Sequence, residues 1–78
     1  MPYEYLVVLY PSPRKVKLNN EFMGQTNTIL EVEGDEYDVS LGLPMNFTPE
    51  VQQVDLRNTS VLKPRVIAFS PKDIDLGG

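Results

Sequence analysis

The chain contains no cysteine and no histidine. Without cysteine it can form no disulfide, no thiolate nucleophile and no cysteine-ligated zinc site. This absence favours a reducing compartment or a larger parent protein, because small secreted domains often depend on disulfides. Without histidine it lacks the most frequent general base, and its serines lie in no nucleophile-elbow motif. We therefore expect a protein that is not an enzyme. The serines are Ser12, Ser40, Ser60 and Ser70.

Long apolar runs are also missing. The longest runs from Tyr5 to Tyr10, whereas a membrane-spanning helix needs about 20 apolar residues. The first four residues carry an acid and no base, unlike the start of a signal peptide. These features predict no membrane insertion and no export signal. They place the chain as written in the cytoplasm, or at the cell envelope if it is a fragment of an exported protein.

Concentrated positive charge is the third absence. The net charge is −4, and the one small basic cluster consists of Arg14, Lys15 and Lys17. Nucleic-acid binding usually requires a concentrated basic face, so we expect no nucleic-acid partner. The length of 78 residues suits one domain over 1–78, with 1–4 and 71–78 expected to fray at its ends.

The pattern that is present has a period of two. Apolar and polar residues alternate in four segments, which is typical of strands with one buried face and one exposed face. Two further runs are apolar on both faces and indicate central strands, or strands covered on their second side. The alternating segments are 15–18, 30–33, 36–41 and 54–57, and the apolar runs are 5–10 and 65–69. Together they predict an all-β, antiparallel β-sandwich of six or seven short strands.

Turn residues separate these strands. Asn19-Asn20 is a suitable two-residue hairpin loop, because asparagine tolerates the left-handed conformation. Gly34 is free to adopt a positive φ in the turn before the strand at 36–41. Pro64 lacks an amide donor, so the last strand should start near Arg65 or lie at a sheet edge. The hairpin at 14–24 is the other candidate edge.

The apolar positions of these strands define a predicted core. Its members are Leu6, Val8, Val16, Leu18, Leu30, Val32, Tyr37, Val39, Leu41, Val54, Leu56, Ile67 and Phe69.

Acidic residues are concentrated at 31–38, which raises the alternatives of a catalytic carboxylate pair or a calcium site. The alternation directs most of these side chains to solvent, where nothing shifts a pKa towards catalysis. The stretch also lacks the ligand spacing of an EF-hand loop. We expect these acids to make the exposed sheet face soluble and to pair with Lys15 and Lys17 across strands. No cofactor and no metal is therefore predicted.

Three aromatic residues are candidates for contact with a partner. Tyr3 and Tyr5 fall on one face of the first strand, where they could stack on sugars, anchor a protein partner, or simply cap the core. Phe47 lies in the longest connection, 42–49, and is the aromatic expected to be presented to a partner.

From Ser12 to Leu41 the chain resembles the PEGA domain, a small β module of bacterial and archaeal proteins. The family pattern is a proline, an alternating strand, a short turn, a glycine-threonine step, a strand, and a glycine turn into a strand with an early aromatic. The matching residues are Pro13, Val16-Lys17-Leu18, Asn19-Asn20, Gly24-Gln25-Thr26, Ile29-Leu30-Glu31-Val32, Gly34 and Tyr37 to Leu41. Asn20 stands where glycine is common, and the Pro-Glu-Gly-Ala string itself is missing. The resemblance implies a sandwich-like appendage of envelope or multidomain proteins with no established catalytic activity.

The expected function is a binding or assembly module that presents a sheet edge or a loop to a protein or a cell-envelope component. Two alternatives remain open. One is a structural spacer of a larger protein that binds no ligand. The other is a small carbohydrate-binding module that uses Tyr3, Tyr5 or Phe47.

Overall fold

The computed structural model describes residues 3–72, which form nine strands. This part of the chain includes no helix that is long and apolar enough to cross a membrane. The strands are β1 (Tyr3–Leu9), β2 (Lys15–Leu18), β3 (Glu21–Gln25), β4 (Ile29–Glu33), β5 (Glu36–Leu41), β6 (Phe47–Thr48), β7 (Gln52–Asp55), β8 (Arg65–Ala68) and β9 (Ser70–Pro71).

The strands form two main sheets that pack face to face. One sheet has three strands in the order β4-β1-β8, and the other has four in the order β3-β2-β5-β7. The two-residue strands β6 and β9 pair separately. The prediction of an all-β sandwich is confirmed. One pairing departs from the antiparallel expectation, because β1 and β8 run parallel.

The core fills the space between the two main sheets. Eleven of the thirteen predicted core residues are buried, while Tyr37 and Ile67 are half-buried and pack against the core. Tyr10 and Phe47 are buried as well and were not predicted. The period-two pattern therefore identified the inward faces of the longer strands. It missed Tyr10 and Phe47, which lie outside the alternating segments.

The β2–β3 hairpin turns at Asn19 and Asn20 as predicted. Their φ angles are 51° and 73°, and positive φ at both positions is what a type I′ turn requires. The Asn19 amide nitrogen donates to the Asp38 carbonyl at 3.0 Å. The Asp38 amide donates to Asn19 Oδ1 at 2.9 Å, so the turn is tied to the neighbouring strand β5.

Gly34 does not adopt the predicted positive φ, since no glycine of the described residues does. Its role is instead steric. A Cβ at this position would lie 3.1 Å from Glu4 Cγ and 3.4 Å from the Leu56 carbonyl oxygen. The connection is a crossing from the three-stranded sheet to the four-stranded one, and the missing side chain lets it pass close to these neighbours.

The predicted sheet edges are confirmed. β8 begins at Arg65, directly after Pro64, and lies at the edge of the three-stranded sheet, while β3 lies at the edge of the four-stranded one. β1 is a central strand, as its apolar character predicts. The apolar run at 65–69 had also indicated that β8 is a central strand or is covered on both sides. That expectation is wrong, because β8 is an edge strand and Val66 on its outer side is 52% exposed.

The chain ends are paired where they are described. Tyr3 and Glu4 belong to β1 and are in register with β4, and Pro71 of β9 is in register with Phe47. The predicted fraying therefore does not extend to these residues. Residues 1–2 and 73–78 lie outside the described part of the chain.

Candidate interaction surface

Phe47 lies in the core and not at the surface, so the expectation that it is presented to a partner is wrong. Its side chain is 1% exposed, and its ring meets the Phe69 ring edge-on at a centroid distance of 5.7 Å. The physical reason is the pairing of β6 with β9, which holds Phe47 in register with Pro71. The sequence gives no sign of this pairing, because each strand has two residues.

Tyr3 and Tyr5 lie together on the outer face of the three-stranded sheet. Tyr3 is 54% exposed, and Tyr5 is half-buried. In the register with β4, Tyr3 lies opposite Glu33 and Tyr5 opposite Glu31. The predicted shared face is confirmed, whereas contact of these tyrosines with a partner remains a prediction.

Next to the tyrosines, the same sheet face carries a continuous group of apolar side chains. Ile29, Val7 and Val66 are in register across the three strands, and Leu9 is in register with Ala68. Since successive side chains of a strand point to opposite faces, all five point away from the core. We call these five residues the apolar face.

The apolar face is uncovered in the described structure. Leu9, Ile29 and Val66 are 41%, 49% and 52% exposed. Large contiguous apolar patches on a monomer mark interaction sites. The sequence signal for this surface was the pair of runs that are apolar on both faces.

The outer face of the four-stranded sheet carries mainly polar and charged residues, together with the exposed Phe22 ring. Glu36 and Asp38 are exposed there, and residues 3–72 contain no group of acids that could hold a metal ion. The predicted pairing of the acids with Lys15 and Lys17 is wrong. Both ammonium groups lie over the Phe22 ring instead, at 5.4 and 5.8 Å from its centroid. Charged side chains and one exposed aromatic ring therefore share this face.

A clamp between Glu4 and Thr59 holds the segment before β8 against β1. Glu4 Oε1 accepts hydrogen bonds from the Thr59 hydroxyl and from the Thr59 amide, the latter at 2.8 Å. Thr59 Oγ1 in turn accepts from the Tyr5 amide at 2.7 Å. The hydrogen bonds from the Thr59 hydroxyl and then from the Thr59 amide lower the pKa of the Glu4 carboxyl. Desolvation opposes them, and the Arg57 charge lowers the pKa to the smallest extent.

Acid should weaken this clamp. Because the pKa of Glu4 is lower in the folded than in the unfolded chain, the unfolded chain binds more protons. The stabilisation is present at neutral pH and is lost as pH falls from the ordinary value near 4.5 through the lowered one. We expect urea midpoints measured at pH 7 and pH 3 to differ more for the natural protein than for Glu4→Gln. An equal pH dependence of the two proteins would contradict the assignment.

Comparisons with known proteins give no relative for this chain. No protein-family model, no curated protein and no solved structure matches it significantly.

Proposed function

We propose that this protein is a non-catalytic interaction module that binds another protein through the apolar face. The observation that carries the proposal is the uncovered row Ile29–Val7–Val66 on a three-stranded sheet. Removing apolar surface from water contributes about 25 cal/mol per Å² to the free energy of association. Each side chain of the apolar face that a partner covers would therefore strengthen binding.

The shape and chemistry of the apolar face favour a protein as its partner. The five side chains are uncharged and belong to three adjacent strands, which makes a broad surface rather than an enclosed pocket. Small-molecule sites are concave and combine apolar walls with converging polar groups. A sheet face of this kind instead suits a second sheet, packed at about 10 Å, or the apolar side of an amphipathic helix. Tyr5 borders the apolar face and offers an aromatic anchor for such a contact.

A PEGA-like role at the cell envelope belongs to the same proposal. The residues that carry the resemblance include Ile29 and Val32 on β4, and Ile29 is part of the apolar face. The family implies a module attached to larger envelope proteins, and such a module would have its apolar face covered by a neighbouring domain or subunit.

Charge substitution on the apolar face tests the proposal. The variant Ile29→Lys/Val66→Lys places two ammonium groups where the partner would pack. Leu43→Lys/Val51→Lys is the matched control, since these side chains are 77% and 52% exposed and lie away from the three-stranded sheet. Circular dichroism verifies that each variant is folded. Quantitative capture from cells of the source organism, together with sedimentation to detect self-association, measures binding.

The expected result is a protein partner, or a second copy of the chain, that is retained by the natural protein and the control and reduced at least tenfold in the face variant. Capture that is equal for all three proteins would contradict the proposal. Capture by none of them would favour the structural spacer.

A carbohydrate-binding module is the second candidate, and one observation favours it. Each exposed-face tyrosine lies opposite a carboxylate, Tyr3 beside Glu33 and Tyr5 beside Glu31. Aromatic rings that stack on sugar faces beside carboxylates that accept hydroxyl hydrogen bonds would suit a polysaccharide. A glycan array with the natural protein and Tyr3→Ala tests it, and the absence of any glycan that depends on Tyr3 would remove this candidate.

A further inference from the structure

A second surface, separate from the apolar face, lies between the edge strands β3 and β4. There the sandwich is open, and a depression of about 530 Å³ separates the two sheets. We call it the edge groove. The residues that line it are Tyr3, Leu18, Asn19, Glu21, Met23, Glu31, Val32, Glu33, Gly34, Asp35 and Tyr37.

The edge groove is bounded at both ends by a side chain that spans the two sheets. At one end, Leu30 fills the space beside Gly24, where a Cβ would come within 2.2 Å of Leu30 Cδ2. Towards Glu33, the Tyr37 side chain spans the two sheets, since its hydroxyl on β5 donates to the Glu33 carbonyl on β4 at 2.6 Å. The stretch between these two boundaries lies beside Glu31 and Val32 of β4, and this is where an extended segment has room to lie.

The floor of the edge groove is apolar. Leu18 and Val32 are buried core residues that form its base, and Met23 is 46% exposed at its side. An apolar side chain inserted between the sheets would contact all three and would extend the core. The floor thus accepts an apolar side chain of the entering segment.

The rim of the edge groove is strongly acidic. Among the described residues that line the edge groove, four are carboxylates and none is lysine or arginine. The negative potential also acts on Tyr37. Burial, followed by the charges of Asp35 and Glu33, raises the pKa of the Tyr37 hydroxyl. The four carboxylates are Glu21, Glu31, Glu33 and Asp35.

The free edge of β4 offers main-chain hydrogen bonds. The Tyr5 amide donates to Thr59 Oγ1 and not to Glu31, which lies opposite it. Opposite residues of an antiparallel ladder alternate between bonded and non-bonded pairs. The amide and carbonyl of Glu31 therefore point away from β1, towards the free edge. The Glu33 carbonyl points the same way but already accepts a hydrogen bond from the Tyr37 hydroxyl at 2.6 Å, so the main-chain groups offered to an added strand are those of Glu31.

We propose that the edge groove binds an extended protein segment in which basic and apolar residues alternate. The segment adds a strand to β4. Because side chains alternate across a strand, its apolar residues enter between the sheets onto Leu18 and Val32. Its lysine or arginine residues lie on the outer side, beside Glu31 and Glu33. This proposal does not depend on the apolar face.

Titration with synthetic peptides tests the proposal. The probe is acetyl-Lys-Val-Lys-Val-Lys-amide, and the control peptides are its glutamate counterpart and the rearranged acetyl-Lys-Lys-Val-Val-Lys-amide. Binding is followed by amide chemical shifts of the ¹⁵N-labelled protein in physiological salt. The variant is Glu31→Lys/Glu33→Lys. Its matched control is Glu36→Lys/Asp38→Lys, which makes the same charge change at alternate positions of the central strand β5.

The expected result is a saturable shift of the amides of β4, Met23 and Tyr37 with the alternating basic peptide. We expect at least tenfold weaker binding of both control peptides and of the Glu31→Lys/Glu33→Lys variant, with the Glu36→Lys/Asp38→Lys variant unchanged. Shifts centred on β5 or on the apolar face, equal loss in both variants, or equal binding of the rearranged peptide would overturn the proposal. So would the absence of any shift at millimolar peptide.

Discussion

Replacing Phe47 with alanine is expected to lower the free energy of unfolding by about 3–5 kcal/mol, the usual range for a buried phenylalanine. Phe47 is among the largest fully buried side chains, and its ring packs against Phe69. Small domains have total stabilities near the lower end of about 5–15 kcal/mol. From a starting value of about 5 kcal/mol, about 0–2 kcal/mol would remain, so between about 3% and about half of the variant should be unfolded at 25 °C. Urea unfolding followed by circular dichroism measures the difference.

Phe22→Ala is the matched control for this prediction. Phe22 is also a strand phenylalanine, but it is 59% exposed and contacts the lysine side chains of β2. Its removal should change the unfolding free energy by less than about 1 kcal/mol. Similar losses in the two variants would show that burial does not distinguish them. A stable Phe47→Ala protein would restore the idea that Phe47 faces a partner.

Replacing Arg14 with alanine is expected to cost about 2 kcal/mol or more, since hydrogen bonds of a charged donor contribute about 1.5–3 kcal/mol. Its guanidinium donates to the carbonyls of Gly42 and Pro44 at 3.2 and 3.0 Å and to Asn46 Oδ1 at 3.0 Å. It also lies over the Tyr10 ring at 5.1 Å. Arg14 thus holds the 42–49 connection against the sandwich.

Arg14→Lys should restore less than half of the stability that Arg14→Ala loses. One ammonium group cannot reproduce the planar fork that reaches three acceptors and stacks on an aromatic ring. Lys15→Ala is the control, because Lys15 is exposed and its ammonium group lies over the exposed Phe22 ring. Urea midpoints rank the three variants. Full recovery with lysine would mean that the charge alone matters, and that the hydrogen-bond geometry does not.

The edge groove shows which features of a surface the sequence can predict and which it cannot. Alternation placed Glu31 and Glu33 outside and Val32 inside, and this arrangement is what the structure has. The sequence could not show that β4 pairs with β1 while β3 pairs with β2. The groove exists because these consecutive strands belong to different sheets.

By itself the sequence determined the strands of the two main sheets, most of their inward side chains and the Asn19-Asn20 hairpin, but not the two-residue strands β6 and β9. These features depend on local rules, namely the period of two along a strand and the backbone conformations open to asparagine and proline. The tertiary structure alone decided the parallel pairing of β1 with β8, the burial of Phe47 and the binding of Arg14 to the 42–49 connection. Each of these depends on contacts between residues far apart in the chain, where short segments have many possible partners. The apolar face lies between the two cases, because the apolar runs were visible in the sequence and only their pairing made them one surface.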